Sequence, residues 1–537
     1  CHPGRSYYGG PDYICRYCSA VFWYGERLQS RSNSQDVVYT GCCRGSRVIL
    51  PRQHPFPTPL QELVRFDGDS RTNKFMLLIR QYNSLFAFTS LGVDVDKSIN
   101  IGNGPYVFRI NGVVHHRIGY LLPPDGKRPE FAQLYIYDTH NEVQNRLNIF
   151  SPEGDDVPDP TIVSDLISMH DEHNPLVQKF RMARDRLVSS HTPDIAIKLR
   201  GVLDGHGDRY STPSASELAA LIIGGPSPEE SNFDIIVETR SSQLKNVSPI
   251  HPSLMALQYP LLFPYGQPGF HTSIKLTETG DHDGDRDTSS MYEFYASAMH
   301  YRPNQPNLAL CSGRLSQQYQ ANAYSCVEAN KLNWYYFNQD LLRCDTYQGI
   351  SDAVGRGAAT GRDMGVKKTL PASHIGGKRY MQQNYHVCLA ICCAYGPPHK
   401  FTTFTCNPKW PEIAEAISPG QKPSDRGDMV VRVFHMKLEE YLTDIKEGRA
   451  FGPVHAGPCI CRFLTISFVT KRGLPHSHIL VWQRDIGRET TAEDVDKYIF
   501  AELPDPKVDP LGFSLVQEFM IHGPCGPANP NSPCMRD

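Results

Sequence analysis

Residues 471–482 read KRGLPHSHILVW. One residue separates His476 from His478 in an apolar run, and strand side chains alternate with a period of two, so both imidazoles project from one face. That geometry suits chelation of a divalent cation. It also suits two polar residues on an ordinary strand, because a zinc or manganese site takes three or four protein ligands. The neighbouring chain separates these readings. Upstream, KFTTFTCNPKWPEI (400–413) alternates Phe401, Thr403 and Thr405 with Thr402 and Phe404, a strand that stops at Asn407 and Pro408. MVVRVFHMKLEEYLTDIKEG (429–448) then sets Val430, Phe434, Leu438, Tyr441, Leu442 and Ile445 on one helical stripe ending at Gly448. FLTISFVT (463–470), with Leu464, Ile466 and Phe468 on one face, reads as a strand just before the histidines. Strand, helix and hairpin-like strand pair predict an α+β sandwich.

The chain has 537 residues, enough for several domains of ~100 to 200 residues. Its net charge of -3 excludes a global basic field for nucleic acid, so any such binding must use a local patch. No apolar run approaches the ~20 residues that span a bilayer, and no secretory leader is seen, so a soluble protein without a membrane partner is expected. Both ends, Cys1 and the segment HGPCGPANPNSPCMRD that closes on Asp537, are expected to be internal points of a longer protein.

Sixteen cysteines then read as reduced thiols or metal ligands. The best cluster is Cys15 and Cys18 in ICRYC with Cys42 and Cys43 in TGCCRG, a candidate Zn2+ site in a Cys-rich head over 1–60. Consecutive side chains diverge, so one of Cys42 and Cys43 with His54 or Cys1 is an alternative, and buried free cysteines are another. Residues 61–203 read as a β-rich module followed by a helix: NKFMLLIRQYNSLFAF (73–88), YVFRING (106–112) and FAQLYIYD (131–138) as strands, and NPLVQKFRMARDRLV (174–188) as a helix capped by Asn174. Residues 204–289, rich in Gly, Ser and Pro, read as a loop-rich linker that includes HPSLMALQYPLLFPYG. The acids of DHDGDRD (281–287) suit either a cation or a solvated loop.

From 290 to 537 the pattern turns helical. In GRLSQQYQANAYSCVEANKLNWYYFNQDLLR (313–343), Leu315, Tyr319, Ala323, Cys326 and Val327 share one face, while aromatic and basic residues interleave, including Arg314, Lys331, Trp334 and Arg343. Such a set suits base stacking and phosphate pairing, or else the aromatics are helix core. Lys409, Lys471 and Arg472 are further candidate DNA contacts. YMQQNYHVCLAICCAYG (380–396) reads as a buried helix.

FTTFT, a helix and then His-x-His resemble the first two motifs of the replication-initiator, or HUH, endonucleases, and that resemblance implies an α+β core over about 375–490 with a central antiparallel sheet flanked by helices. HPSLMALQYPLLFPYGQPGFH, RPNQPNLALCSGRLSQQY, LNWYYFNQDLLRCDTYQGI, RYMQQNYHVCLAICCAYG and GLPHSHILVW resemble the N-terminal helicase-like region of Helitron rolling-circle transposases, and NSLFAFTSLGVDVDKSINIGNGPYVFRINGVVHHRIGYLLP resembles the form typical of plant elements. The resemblance implies a nuclear protein that nicks single-stranded DNA. Its divalent cation, Mn2+ or Mg2+, sits on His476 and His478, a tyrosine attacks the phosphate, and Thr403 and Thr405 on the neighbouring strand support the site. A fused helicase domain is expected in the full-length protein.

Three departures bear on activity. The family's third ligand is a carboxylate on the preceding strand, where this chain has Ser467, Phe468 and Val469. The family's paired tyrosines lie well downstream, whereas Tyr498 is the sole tyrosine in 479–537, so the nucleophilic tyrosines are expected beyond Asp537 and no catalytic residue is assigned within the chain. HIGGKRY (374–380) fails the GxxxxGK[ST] pattern at the first Gly and the last position, so ATP hydrolysis is not expected. A nicking module, a non-catalytic single-strand binder and a decayed fragment are therefore three competing readings.

Overall fold

The computed structural model describes residues 6–33, 36–96, 108–149, 157–190, 195–201, 219–223, 234–239, 244–277, 286–342, 370–455, 474–484, 491–496, 499 and 502–520. The fold is α+β, with small antiparallel sheets and packed helices around two apolar cores and a cysteine cluster. No helix among the described residues is long and apolar enough to cross a membrane.

The larger core is walled by helices α1 (Ser70–Phe86), α2 (Pro160–His173), α3 (Pro175–Ser190), α4 (Leu254–Gln258), α5 (Met291–Ala298) and α6 (Arg314–Phe337). Two three-stranded sheets join it. One orders β3 (Ser90–Val95), β4 (Ile110–Ile118) and β8 (Lys245–Asn246), and the other places β5 (Ile195–Leu199) between β6 (Ala219–Ile223) and β7 (Ile235–Glu238). Local chemistry sets the ends of these helices. The Asp69 carboxylate accepts from the Thr72 N–H to start α1, and Asn174 Oδ1 accepts from the Leu176 N–H at 3.0 Å, with Pro175 in the first turn of α3.

Several expectations need correction. NKFMLLIRQYNSLFAF is not a strand: its residues to Phe86 belong to α1, where Phe75, Ile79, Tyr82 and Phe86 recur every three or four residues and are buried. Apolar side chains crowded between those positions hid that period. FAQLYIYD forms a short 3-10 turn at Phe131–Tyr135 rather than a strand. The stretch read as linker contributes β6 and β7, and its Leu254–Gln258 helix is fully buried in the larger core. Helix α7 (Lys378–Tyr395) forms as the sequence predicts, but only Ile391 on it is buried, while Met381, Tyr385 and Leu389 are exposed. Apolar composition gives a helix a tendency to be covered, and tertiary placement overrules it here.

The second core joins helix α8 (Gly427–Lys446) to a sheet that, among the described residues, pairs β9 (Lys400–Thr405) with β10 (His476–Val481). The helical stripe is as expected: Val430, Phe434, Leu438, Leu442 and Ile445 are buried, with Tyr441 packed at the edge. FLTISFVT lies outside the described residues. The Cys-rich head, with the short pair β1 (Tyr13–Ile14) and β2 (Val21–Phe22), docks on this core. Trp23 is a member of the second core, Arg432 stacks on its ring at 4.9 Å and binds Glu26 at 2.7 Å, and Lys437 donates to the Ser6 carbonyl and to buried Glu412.

Candidate metal centres and nucleic-acid surface

The head brings together the thiols of Cys15, Cys18, Cys42 and Cys43, all within 4.8 Å of one another. The first pair sits on a tight turn between β1 and β2. The Ser19 N–H donates to the Cys15 carbonyl at 2.8 Å, the Cys15 N–H donates to the Ala20 carbonyl, and Ser19 takes a left-handed φ of 57° to close the loop. The second pair sits on another turn, where Arg44, Gly45 and Ser46 all have positive φ, the Arg44 N–H donates to the Thr40 carbonyl, and the Ser46 N–H points at Cys43 Sγ at 3.4 Å. Two adjacent cysteines diverge on a strand. On this coiled turn they converge, which removes the objection to Cys42 and Cys43 as joint ligands. His54 packs instead against the ring of Tyr265 at 5.1 Å, and Cys1 lies outside the described residues.

The donor set fits a tetrahedral metal. A Zn–S bond of ~2.3 Å implies sulfurs roughly 3.8 Å apart, and Cys15 Sγ lies 3.8 Å from Cys43 Sγ. The thiols also titrate as one unit. Hydrogen bonds from Cys18, Cys42 and Cys43 hold the Cys15 thiol far below its ordinary value, and sharing with Cys15 pushes Cys42 and Cys43 well above theirs. Cys18 is pushed up by Cys15 but drawn down by Cys42, Cys43 and the charge of Arg302, and settles at about 6. A cluster that favours charge on Cys15 and Cys18 and resists it on Cys42 and Cys43 is a cluster a divalent cation completes. Arg302 ties it to the chain beyond α5, its Nε donating to the Cys18 carbonyl at 2.9 Å.

The second candidate centre is on the β9–β10 sheet. Antiparallel register places His476 opposite Thr405, His478 opposite Thr403 and Leu480 opposite Phe401. One face of the sheet packs Phe404, Ile479 and Val481 into the second core. The other carries exposed Phe401, Thr403 and Thr405 with half-buried His476 and His478. The two imidazoles stand 5.1 Å apart between ring centres, Thr403 Oγ1 is 3.1 Å from His478 Nδ1, and the Phe401 ring stacks on His478 at 5.3 Å and 12°. Among the described residues, the four cysteines are the one group of three or more His, Cys, Asp or Glu close enough to share an ion. Ser467, Phe468, Val469 and Tyr498 lie outside the described residues, as does Asp537, the residue beyond which the nucleophilic tyrosines are expected.

The candidate DNA contacts divide. Arg314 opens α6 and lines an open groove of about 390 Å³ with Arg80 and Gln318. The first half of α6 is core, as Leu315, Tyr319, Ala323, Cys326 and Val327 are buried. Its second half projects: Lys331 is exposed, Trp334 is 50% and Phe337 79% exposed, and Tyr324 and Tyr336 are also open. The helix-core reading therefore holds for the buried stripe from Leu315 to Val327, while Trp334, Tyr336 and Phe337 are exposed. Lys409 is exposed just past the Thr405 end of β9. Arg343, Lys471 and Arg472 lie outside the described residues. Sequence reasoning missed Phe401 as a neighbour of His478 and Arg432 as the anchor of the head. Only the register of a long-range strand pair and the docking of the head reveal them.

Residues 294–481 match the family model of the Helitron helicase-like domain at the N-terminus. The stretch carrying α6, α8 and the histidine strand is thus a Helitron helicase-like region. No curated protein matches it.

Proposed function

We propose that this chain is the DNA-handling part of a Helitron-type replication initiator. In this reading His476 and His478 are ligands for a divalent cation, Mn2+ or Mg2+, single-stranded DNA is the partner, and the four cysteines hold a structural Zn2+. The observation that carries the reading is the histidine pair on the open face of β9–β10, inside the matched region. A cation there would polarise a phosphodiester oxygen; imidazole ligands favour Mn2+ over Mg2+. The chain itself supplies Lys409 for backbone charge and the projecting end of α6 for stacking, since every base has a π-face that Trp334 and Phe337 can meet.

The test is fluorescence anisotropy with labelled oligo-dT in parallel with Mn2+ titration. Binding is expected to weaken as salt rises. His476→Ala should abolish Mn2+ uptake while leaving metal-independent DNA binding, which separates the two activities. Trp334→Ala should weaken DNA binding about tenfold, from the ~1 to 3 kcal/mol that one stacked base contributes. Absence of single-strand binding, or Mn2+ uptake indifferent to His476→Ala, would overturn the reading. With Tyr498 the sole tyrosine in 479–537, the 537-residue chain is expected to bind without forming a covalent adduct. An adduct lost on His476→Ala and also on Tyr498→Phe would make Tyr498 the nucleophile.

A further inference from the structure

We infer that the Cys-rich head and the chain just beyond α5 together form a pocket for one unstacked base of single-stranded DNA, with adenine preferred and Arg52 at the rim for the neighbouring phosphate. The inference rests on single-stranded DNA being the partner. The whole chain has a net charge of -3, yet residues 1–60 hold seven arginines and no lysine against Asp12, Glu26 and Asp36, a net of +4. The head is therefore a local basic patch of the kind that nucleic-acid binding requires in a chain without a basic field. Among the described residues, Arg44, Arg47 and Arg52 have no carboxylate partner.

A cavity of about 240 Å³ lies at the seam, between Tyr17, Arg52 and Gln53 of the head and Arg302 and Gln305 beyond α5. That is below the ~300 to 1,000 Å³ that houses a drug-sized ligand, so it suits one base rather than a whole cofactor. No Asp or Glu lines it. Its back wall is fixed: Arg302 donates to the carbonyls of Cys18, Ser297 and His300, each at 2.9 Å, and the Asn307 amide is held by the Ala298 carbonyl and the Ala309 N–H. Two amides remain. Gln53 and Gln305 are half-buried, and neither side chain hydrogen-bonds to the protein among the described residues. A carboxamide sets an acceptor beside a donor, the pattern that pairs with N6 and N7 of adenine. One face of the half-open Tyr17 ring carries Arg16 at 4.9 Å, and a base stacks on the other. Arg52 gives one donor to the Asn304 carbonyl at 3.3 Å, which leaves the rest of its guanidinium for a phosphate.

The experiment is fluorescence anisotropy of the full chain with three labelled oligonucleotides: oligo-dT, the same strand with one central dA, and the same strand with the purine analogue that lacks the 6-amino group. One dA in a dT background avoids the self-stacking of oligo-dA. The dA strand is expected to bind about tenfold tighter than oligo-dT, within the range of one bidentate base contact, and the analogue to bind like oligo-dT. Gln53→Ala with Gln305→Ala should erase the preference and leave oligo-dT affinity within twofold. Arg52→Gln should keep the preference, weaken all three strands alike and lower the salt slope by about one. An unchanged melting temperature shows that each variant is folded, and the analogue comparison needs no variant. Equal binding of all three strands overturns the inference and leaves the single-strand reading standing. An analogue that binds like dA, or a preference that survives the double substitution, overturns it too. If no strand binds, the single-strand reading itself falls and the inference falls with it.

Discussion

Stripping metal from the four-cysteine cluster, by a strong chelator or by Cys42→Ser, is expected to unfold the head and strip cover from the second core. The head's own apolar cluster is small: Cys15, Ala20, Cys42 and Cys43 with Cys18 and Tyr39 packed against them. That is too little buried surface to order a module of this size, and structural zinc in comparable Cys-rich units supplies on the order of 10 kcal/mol. Trp23, fully buried directly after the strand that leaves the first turn's cysteines, should become wet. Tryptophan emission should shift to longer wavelength and the melting temperature should fall, with both restored by Zn2+. Binding should also release protons, because Cys42 and Cys43 hold theirs tightly without a cation. Four freely titratable thiols and an unchanged melting curve after chelation would sink the idea.

Acid should destabilise the larger core well before carboxylates are protonated. Burial pushes His170 down to about 3, and pushes His116 and His251 down to about 4. Arg146 and His173 lower His170 further, whereas a hydrogen bond to Asn322 partly offsets the burial of His116, and Asp234 and a backbone contact partly offset that of His251. In the unfolded chain each returns to about 6.5. The unfolded state therefore takes up protons first as pH falls, so stability is full above about 6.5 and is lost progressively toward pH 4. Each histidine contributes about 3 kcal/mol to that loss at pH 4, from 1.36 kcal/mol per unit. His170 is the sharpest case, because neither of its ring nitrogens has a hydrogen-bond partner and the side chain is fully buried against Phe86. His170→Leu should leave neutral-pH stability equal or higher, since it removes two unsatisfied polar atoms, and should flatten the acid limb of a plot of melting temperature against pH. An acid limb of unchanged slope in that variant would show that the titrating groups lie elsewhere.

The parts of the fold legible in the sequence are those where period and position coincide. Alternation in FTTFT and in HSHILV, the stripe of α8 and the buried half of α6 all reappear in the structure. Where apolar residues crowd every position, as in Phe75–Phe86, the helical period is present but hidden, and the strand reading fails. Register is harder still. Nothing local in the chain says that Thr403 faces His478 across 75 residues, because pairing of distant strands is fixed by the whole packed sheet. The cysteine cluster was legible in its membership but not in its geometry. The φ values of Arg44, Gly45 and Ser46, which turn Cys42 and Cys43 toward one point, are a property of the folded loop.

The docking of the head changes what counts as a unit. The Helitron-like match begins at residue 294, yet the core beneath the histidine strand is closed by Trp23, and the buried pair of Glu412 and Lys437 is capped by the Tyr8 N–H and the Ser6 carbonyl. Homology and self-sufficiency therefore have different borders in this protein. A polypeptide cut at the border of the match would keep every residue that identifies it and lose the wall that lets its histidine sheet stand.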